Sequence, residues 1–400
     1  MNGEPNTAEL RVTSHESLLF AGVAGELAEL EARGLRRFRR TLESAQGPRV
    51  TVDGREYVAF CSNDYLGLAA DSRLVAAVQE GAARYGAGSG ASHLVMGHSR
   101  AHEALERALA EYVRLPRALL FSTGYMANLG IVTALAGRGD AVFADRLNHA
   151  SLNDAVLLSR AEFKRYPHGD VAALEHLLAR TRARRKLVVT DAVFSMDGDI
   201  APLERILAVC ERYDAWLVVD DAHGFGVLGE QGRGTLAHLE LASPRIVYMA
   251  TLGKAAGVYG AFVAGAPEPV EIILQRARTY IYTTATPPAL AHALLVALEI
   301  MRTEDERRCR LRELVDVLRK ELRAVPWRLL TSDTAIQPLI VGDNAAALEL
   351  AERLAERALL VPAIRPPTVP AGTARLRISL CATHTAEEVR RLAHALRELA

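Results

Sequence analysis

The chain has 400 residues, half of them hydrophobic and 24% charged, with Lys+Arg and Asp+Glu equal at 48 each. That length exceeds what one hydrophobic core usually fills, so two domains, or one large domain with a satellite, are expected. The even charge balance excludes a net field that would draw nucleic acid or an anionic membrane surface, and it points to small-molecule partners.

Met1 to Leu10 are polar and acidic, without the basic-then-apolar layout of a secretion signal, and no later segment is apolar for long enough to span a bilayer. A cytoplasmic location is expected. Cys61, Cys210, Cys309 and Cys381 lie far apart with no Cys-x-x-Cys pair, which indicates neither a disulfide framework nor a zinc site, and no metal is expected. Residues 15–45 carry Leu and Ala at helical spacing and end in Gly34-Leu35-Arg36-Arg37-Phe38-Arg39-Arg40, an amphipathic arm whose arginines read first as a solvated helix face. Val50–Val52 and Tyr57–Phe60 flank Asp53-Gly54, a hairpin signal, because these residues supply positive φ.

From about residue 100 the pattern alternates between strand and helix, as in a parallel sheet with helices on its faces. Ala118–Ser122, Lys186–Phe194, Ala215–Asp221 and Arg245–Thr251 are predicted strands, and Met126 to Leu135 is a predicted helix. Leu203, Ile206, Leu207 and Cys210 line one face of another helix. After Pro287-Pro288 come Leu- and Arg-rich helices, a strand at Ala335–Val341, a helix near 345–357 and a strand at Arg375–Ser379. The expected fold is a large, doubly wound, mostly parallel α/β domain with a smaller α+β domain after it. The expected boundaries are 1–55 for the arm and hairpin, 56–289 for the cofactor-binding domain and 290–400 for the C-terminal domain.

Ligands of open parallel sheets bind beyond the carboxyl ends of the strands. Three strand ends are informative: Ser195-Met196-Asp197-Gly198, then Asp220-Asp221-Ala222-His223-Gly224, then Thr251-Leu252-Gly253-Lys254. A lysine there, between Gly253 and Gly257 that leave room for an adduct, can form an imine if burial or a nearby cation lowers its pKa. Asp220 can sit against the pyridine nitrogen of pyridoxal phosphate and keep the ring an electron sink. The Ser122-Thr123-Gly124-Tyr125 turn, where a strand gives way to a helix, can hold a phosphate, with the Ser195 and Thr251 hydroxyls adding hydrogen bonds. His149 can lay its ring on the cofactor, and His223 can donate to its phenolic oxygen. Singly, each of these residues is more often structural; their joint order at successive strand ends is what points to a site. Gly224-Phe225-Gly226-Val227-Leu228-Gly229 matches the dinucleotide fingerprint, but glycine-rich loop follows where a helix should open.

Ser62-Asn63-Asp64-Tyr65-Leu66-Gly67-Leu68, Gly88-Ser89-Gly90, the Asp145 to Ser151 segment, Val193 to Asp199, Val219 to Gly224 and Thr251 to Lys254 together resemble the α-oxoamine synthases of fold-type I pyridoxal-phosphate enzymes. The resemblance runs over nearly the whole chain from about residue 35. Ala335 to Asp343 and Ile364 to Arg377 resemble the biotin-pathway branch, which implies a decarboxylative condensation of L-alanine with a pimeloyl thioester of coenzyme A or carrier protein. It also implies that Lys254 is the Schiff-base lysine, Asp220 the pyridinium partner, His149 the stacking ring and His223 the phenolate partner. Gly124, Tyr125, Ser195 and Thr251 become further cofactor contacts, Arg377 the carboxylate clamp for the amino acid, and Arg37 and Thr368 substrate contacts. A homodimer is implied as well, with Thr283 or Thr284 reaching the neighbouring phosphate. Asp191, where many members of the group carry Glu, and Tyr259, where a small residue is common, depart from the pattern.

Overall fold

In the computed structural model, which describes residues 17–400, the Asp53-Gly54 turn has φ of 49° and 75° and joins β1 (Arg49–Val52) to antiparallel β2 (Arg55–Ala59). The Met1 to Leu10 segment and the first residues of the expected arm lie outside the described residues; from Ser17 to Ala32 the arm is helical.

The central sheet is built from β3 (Arg117–Phe121), β4 (Ala141–Asp145), β5 (Glu162–Tyr166), β6 (Lys186–Asp191), β7 (Ala215–Asp220), β8 (Ile246–Thr251) and β9 (Ala261–Gly265). Their order is β3-β9-β8-β7-β6-β4-β5. Every neighbouring pair is parallel except those of β9, which runs antiparallel between β3 and β8. Side chains alternate between two cores, one on each face: Val188, Leu217 and Val219 pack in one, Leu187, Val189, Val218 and Val247 in the other. Burial on both faces is why these strands read as unbroken apolar runs. Strands β4, β5 and β9 carry weaker signals. β5 closes one edge and has three charged residues in five (Glu-Phe-Lys-Arg-Tyr), and β9 is largely alanine and glycine.

Towards the C-terminus come β10 (Arg328–Leu329), β11 (Ile336–Gly342), β12 (Leu359–Leu360), β13 (Ala363–Ile364) and β14 (Ala374–Ser379). Four pair antiparallel in the order β10-β11-β14-β13, while β12 pairs in parallel with β2. The hairpin is thereby tied to the C-terminal part as well as to the end of the arm, where Leu42 bridges to Val52. Pro288 opens a helix, Pro288–Thr303, that packs on helices Ser72–Tyr85 and Arg100–Val113 of the large body. The approach is close, since a Cβ on Gly81 would lie 2.8 Å from the Ala289 Cα. We therefore propose that the large domain continues to Thr303 and that the β1–β2 hairpin belongs with residues 304–400.

Candidate active site

Strands β6, β7 and β8 end side by side, with Asp191 paired to Asp220 and Asp220 to Met249 in the sheet register. Beyond these ends lies a cavity of about 210 Å³, lined by Lys254, His223, Asp220, Thr251, Ser195 and His149, with Gly124 and Tyr125 at the start of helix Gly124–Leu135. Residues spread over 130 positions of sequence thus meet because parallel strands deliver their ends to one edge. A larger groove of about 1020 Å³ runs between the hairpin and the last helix. Arg49 pairs with Glu388 and Arg397 with Glu321 across it, and it carries no comparable set of reactive groups.

Lys254 Nζ lies 2.9 Å from His223 Nε2, and His223 Nδ1 lies 2.6 Å from the Tyr65 hydroxyl. Tyr65 donates its one hydrogen to Asn63 Oδ1 at 3.1 Å, an oxygen that also accepts from Arg377. His223 Nδ1–H therefore donates to Tyr65, and the Nε2 lone pair is left to Lys254. Burial lowers the Lys254 pKa to about 8, with Arg377 acting in the same direction and Asp220 opposing. Burial, then the Lys254 and Arg377 charges, hold His223 well below the usual imidazole range, so it is neutral.

Asp220 Oδ2 accepts from Asn128 Nδ2 at 2.7 Å and Oδ1 from the Ala222 N–H at 3.0 Å. Asn128 Nδ2 also donates to Ser151 Oγ at 2.8 Å, which in turn lies 2.7 Å from His149 Nδ1. His149 caps the helix Ala150–Ser159, and its own N–H donates to Asp191 Oδ2 at 2.9 Å. Burial and the neighbouring Asp220 charge push Asp191 well above the usual carboxyl range. Shorter by one methylene than glutamate, Asp191 still reaches the His149 backbone.

Two buried oxygens that line this cavity, Asn128 Oδ1 and Asp191 Oδ1, have no partner among the described residues. Buried polar atoms are almost always satisfied, so the wall fits a polar occupant. The cavity is open to solvent and has room for a ligand the size of one phosphorylated ring. At the helix start, Thr123 Oγ1 accepts from the Met126 N–H at 3.1 Å, and a Cβ on Gly124 would fall 2.6 Å from Thr251 Cγ2. Glycine is needed there for the close approach, and the helix N-terminus suits an anion. These residues fit pyridoxal phosphate: Lys254 for its aldehyde, Asp220 for its ring nitrogen, and the Gly124-Tyr125 turn with Ser195 and Thr251 for its phosphate.

Strand β14 lies inside its sheet, so Arg375 and Arg377 are buried and not solvated edge residues. Arg377 Nε donates to the Ser195 carbonyl at 2.6 Å, and Arg375 Nη1 donates to the Met196 carbonyl at 3.0 Å and pairs with Asp197 at 2.8 Å. The small domain thereby grips the loop that carries Ser195. Arg37 and Thr368 do not line the Lys254 cavity; with Leu35 and Arg365 they border a separate hollow of about 80 Å³. Tyr259, an exposed residue, does not line the Lys254 cavity either and borders a small hollow with Leu252 and Leu290. Gly257 serves packing and not an adduct, since a Cβ there would come within 2.6 Å of the Leu68 backbone.

The glycine fingerprint at 224–229 opens no long helix; the loop wraps Asp221, whose carboxylate a Cβ on Gly224 or Gly234 would meet at 2.2 or 2.3 Å. Asn128, Ser151 and the Tyr65–Asn63 pair were not singled out as site residues. Asn128 had one sequence signal, a lone amide on an otherwise apolar helix one turn after Gly124.

The family model for class I and II aminotransferases matches residues 55–396. The chain is 65% identical over 367 residues to the 8-amino-7-oxononanoate synthase of Nitrosospira multiformis, covering 92% of this chain and 93% of that protein. It is 62% identical over 382 residues to the one from Aromatoleum aromaticum, covering 96% and 99%. Among solved structures, serine palmitoyltransferase from Sphingomonas wittichii superposes with a TM-score of 0.89 at 32% identity, covering 96% of this chain and 97% of that one. A lysine-to-alanine variant of the S. paucimobilis enzyme with a bound pyridoxal-phosphate–myriocin aldimine gives the same values. An 8-amino-7-oxononanoate synthase from Francisella tularensis gives 0.75 at 30% identity, covering 86% and 97%.

Proposed function

The chain belongs to the class I and II aminotransferase family and, within it, to the 8-amino-7-oxononanoate synthases, pyridoxal-phosphate enzymes of biotin biosynthesis, and from that premise we propose that it condenses L-alanine with a pimeloyl thioester. Carbon dioxide and the thiol leave, and 8-amino-7-oxononanoate is formed. Bound in the cavity, pyridoxal phosphate supplies an electron sink that lets the amino acid lose its α-proton and form a carbon–carbon bond.

In this reading Lys254 anchors the cofactor and, once released by the incoming amine, takes the alanine α-proton at Nζ. An amine held near pH 8 is suited to that exchange, because base strength and availability are then balanced. Neutral His223 accepts from Lys254 at Nε2 and so orients it. Asp220, fixed by Asn128 and the Ala222 N–H, would hold the ring nitrogen. Arg377 offers its guanidinium to the alanine carboxylate, and Arg37 and Thr368, in their own hollow, receive the far end of the acyl donor. A cytoplasmic homodimer, with Thr283 or Thr284 completing the neighbouring phosphate site, belongs to the same reading.

The observation that carries the proposal is the Lys254 amine, depressed by burial, in one cavity with Asp220, His223 and His149. The rival within the group is a serine palmitoyltransferase-like activity, and identity favours the first: 65% to a synthase against 32% to that enzyme. The test pairs borohydride reduction and peptide mass spectrometry with assays of alanine, glycine and serine against pimeloyl and palmitoyl thioesters. A pyridoxyl adduct on Lys254 and product only from alanine with a pimeloyl donor are expected. Lys254→Ala protein that forms product at the wild-type rate would overturn the assignment.

A further inference from the structure

We propose that His168 is a positioning residue for this site, a charged clamp holding in register the two loops that carry His149 and Ser195. His168 follows β5 and does not line the cofactor cavity. Its Nδ1 lies 3.1 Å from Asp145 Oδ1 and its Nε2 lies 3.0 Å from Asp199 Oδ2. Ionised carboxylates only accept, and a neutral imidazole has a single N–H, so both contacts together call for the imidazolium. The hydrogen bonds to Asp145 and Asp199 raise its pKa to about 10, against burial, which keeps it charged through the neutral range.

Each carboxylate leads to one side of the site. Asp145, buried at the end of β4, also accepts from the Leu147 N–H at 2.8 Å, two residues before His149, and from the Gly169 N–H at 2.8 Å. Asp199 accepts from the Phe194 N–H through its backbone carbonyl at 3.0 Å, next to Ser195. The Phe194 ring packs edge-on against His168 with centroids 4.4 Å apart. Arg375 and Arg377 hold the Ser195 loop from the small domain, and His168 is its charged tether to the large one. Among the described residues the Asp199 carboxylate has no hydrogen-bond partner other than His168, and its Oδ1 is unpaired.

The inference rests on the assignment of His149 and Ser195 to the cofactor. His168→Gln, Asp199→Asn and the double variant are compared with wild type for pyridoxal-phosphate affinity by absorbance titration, for kcat and alanine KM, and for melting of the apoprotein. Each single variant is expected to weaken cofactor binding about tenfold and to lower kcat by a similar factor, because small misplacements are costly where reacting groups must align. Apoprotein melting should hold, and the double variant should be no worse than His168→Gln alone, since Asp199 acts through His168. Wild-type affinity and kcat in all three variants, additive losses, or a drop in melting with affinity unchanged would overturn the clamp alone. Wild-type protein that takes up no pyridoxal phosphate would overturn the functional reading, and the clamp with it.

Discussion

Lys254 Nζ and His223 Nε2 meet at 2.9 Å, and the far nitrogen of that ring is held by the Tyr65 hydroxyl at 2.6 Å. The amine is therefore oriented by a ring that is itself fixed from behind, through Asn63, to Arg377. This relay links the lysine of the large domain to the arginine of the small one.

The first prediction concerns pH. Only the deprotonated amine attacks an aldehyde, and burial holds Lys254 at about 8, against an unperturbed value of about 10.4. Cofactor uptake by apoprotein should quicken about tenfold from pH 6 to 7 and level off above about pH 8.5. Stopped-flow absorbance measures it. A rate still climbing tenfold per unit at about pH 9.5 would mark an ordinary exposed lysine.

Gly124 and Thr251 form a second test. Gly124→Ala places a Cβ 2.6 Å from Thr251 Cγ2, so one of them must move. Cofactor affinity should fall about tenfold, a cost of about 1.4 kcal/mol. Adding Thr251→Ser removes the clashing methyl and keeps the hydroxyl, and most of the affinity should return. Loss without rescue would place the strain elsewhere.

Arg377 already serves Ser195, Asn63 and Ser379, and its planar fork does so from fixed directions. Arg377→Lys keeps the charge and loses the fork. Steady-state assays should show alanine KM raised about 10- to 100-fold with a smaller change in the thioester KM. Equal changes in both would argue against contact with the amino-acid carboxylate.

Asp221 adjoins Asp220 yet is bonded elsewhere, accepting from the Thr235 N–H, the Thr235 hydroxyl and the Tyr248 hydroxyl. Complete burial raises its pKa from 3.8 to about 6. Between those values the folded chain keeps a proton that the unfolded chain has lost, so stability falls as pH rises through that window. The full cost, about 3 kcal/mol, is present above about pH 6. In Asp221→Asn this component disappears. Urea denaturation at pH 4 and pH 7 should show the variant gaining on wild type as pH rises.

Local chemistry made much of this protein legible without coordinates. The Asp53-Gly54 turn, the apolar strand runs and the Asp220, His223 and Lys254 strand ends depend on short stretches of chain, on positive φ, burial on both sheet faces and the parallel-sheet rule. Long-range packing decided what lay beyond that reach. Only the folded chain pairs β12 with the distant hairpin, packs the Pro288–Thr303 helix on Ser72–Tyr85, and assigns Gly257 to Leu68. Asn128, Tyr65 and His168 gain their roles from partners between 2 and 158 residues away, through contacts that no spacing in the sequence encodes. A side chain's direction and partners are set by which elements pack together, and that is settled when the whole core forms.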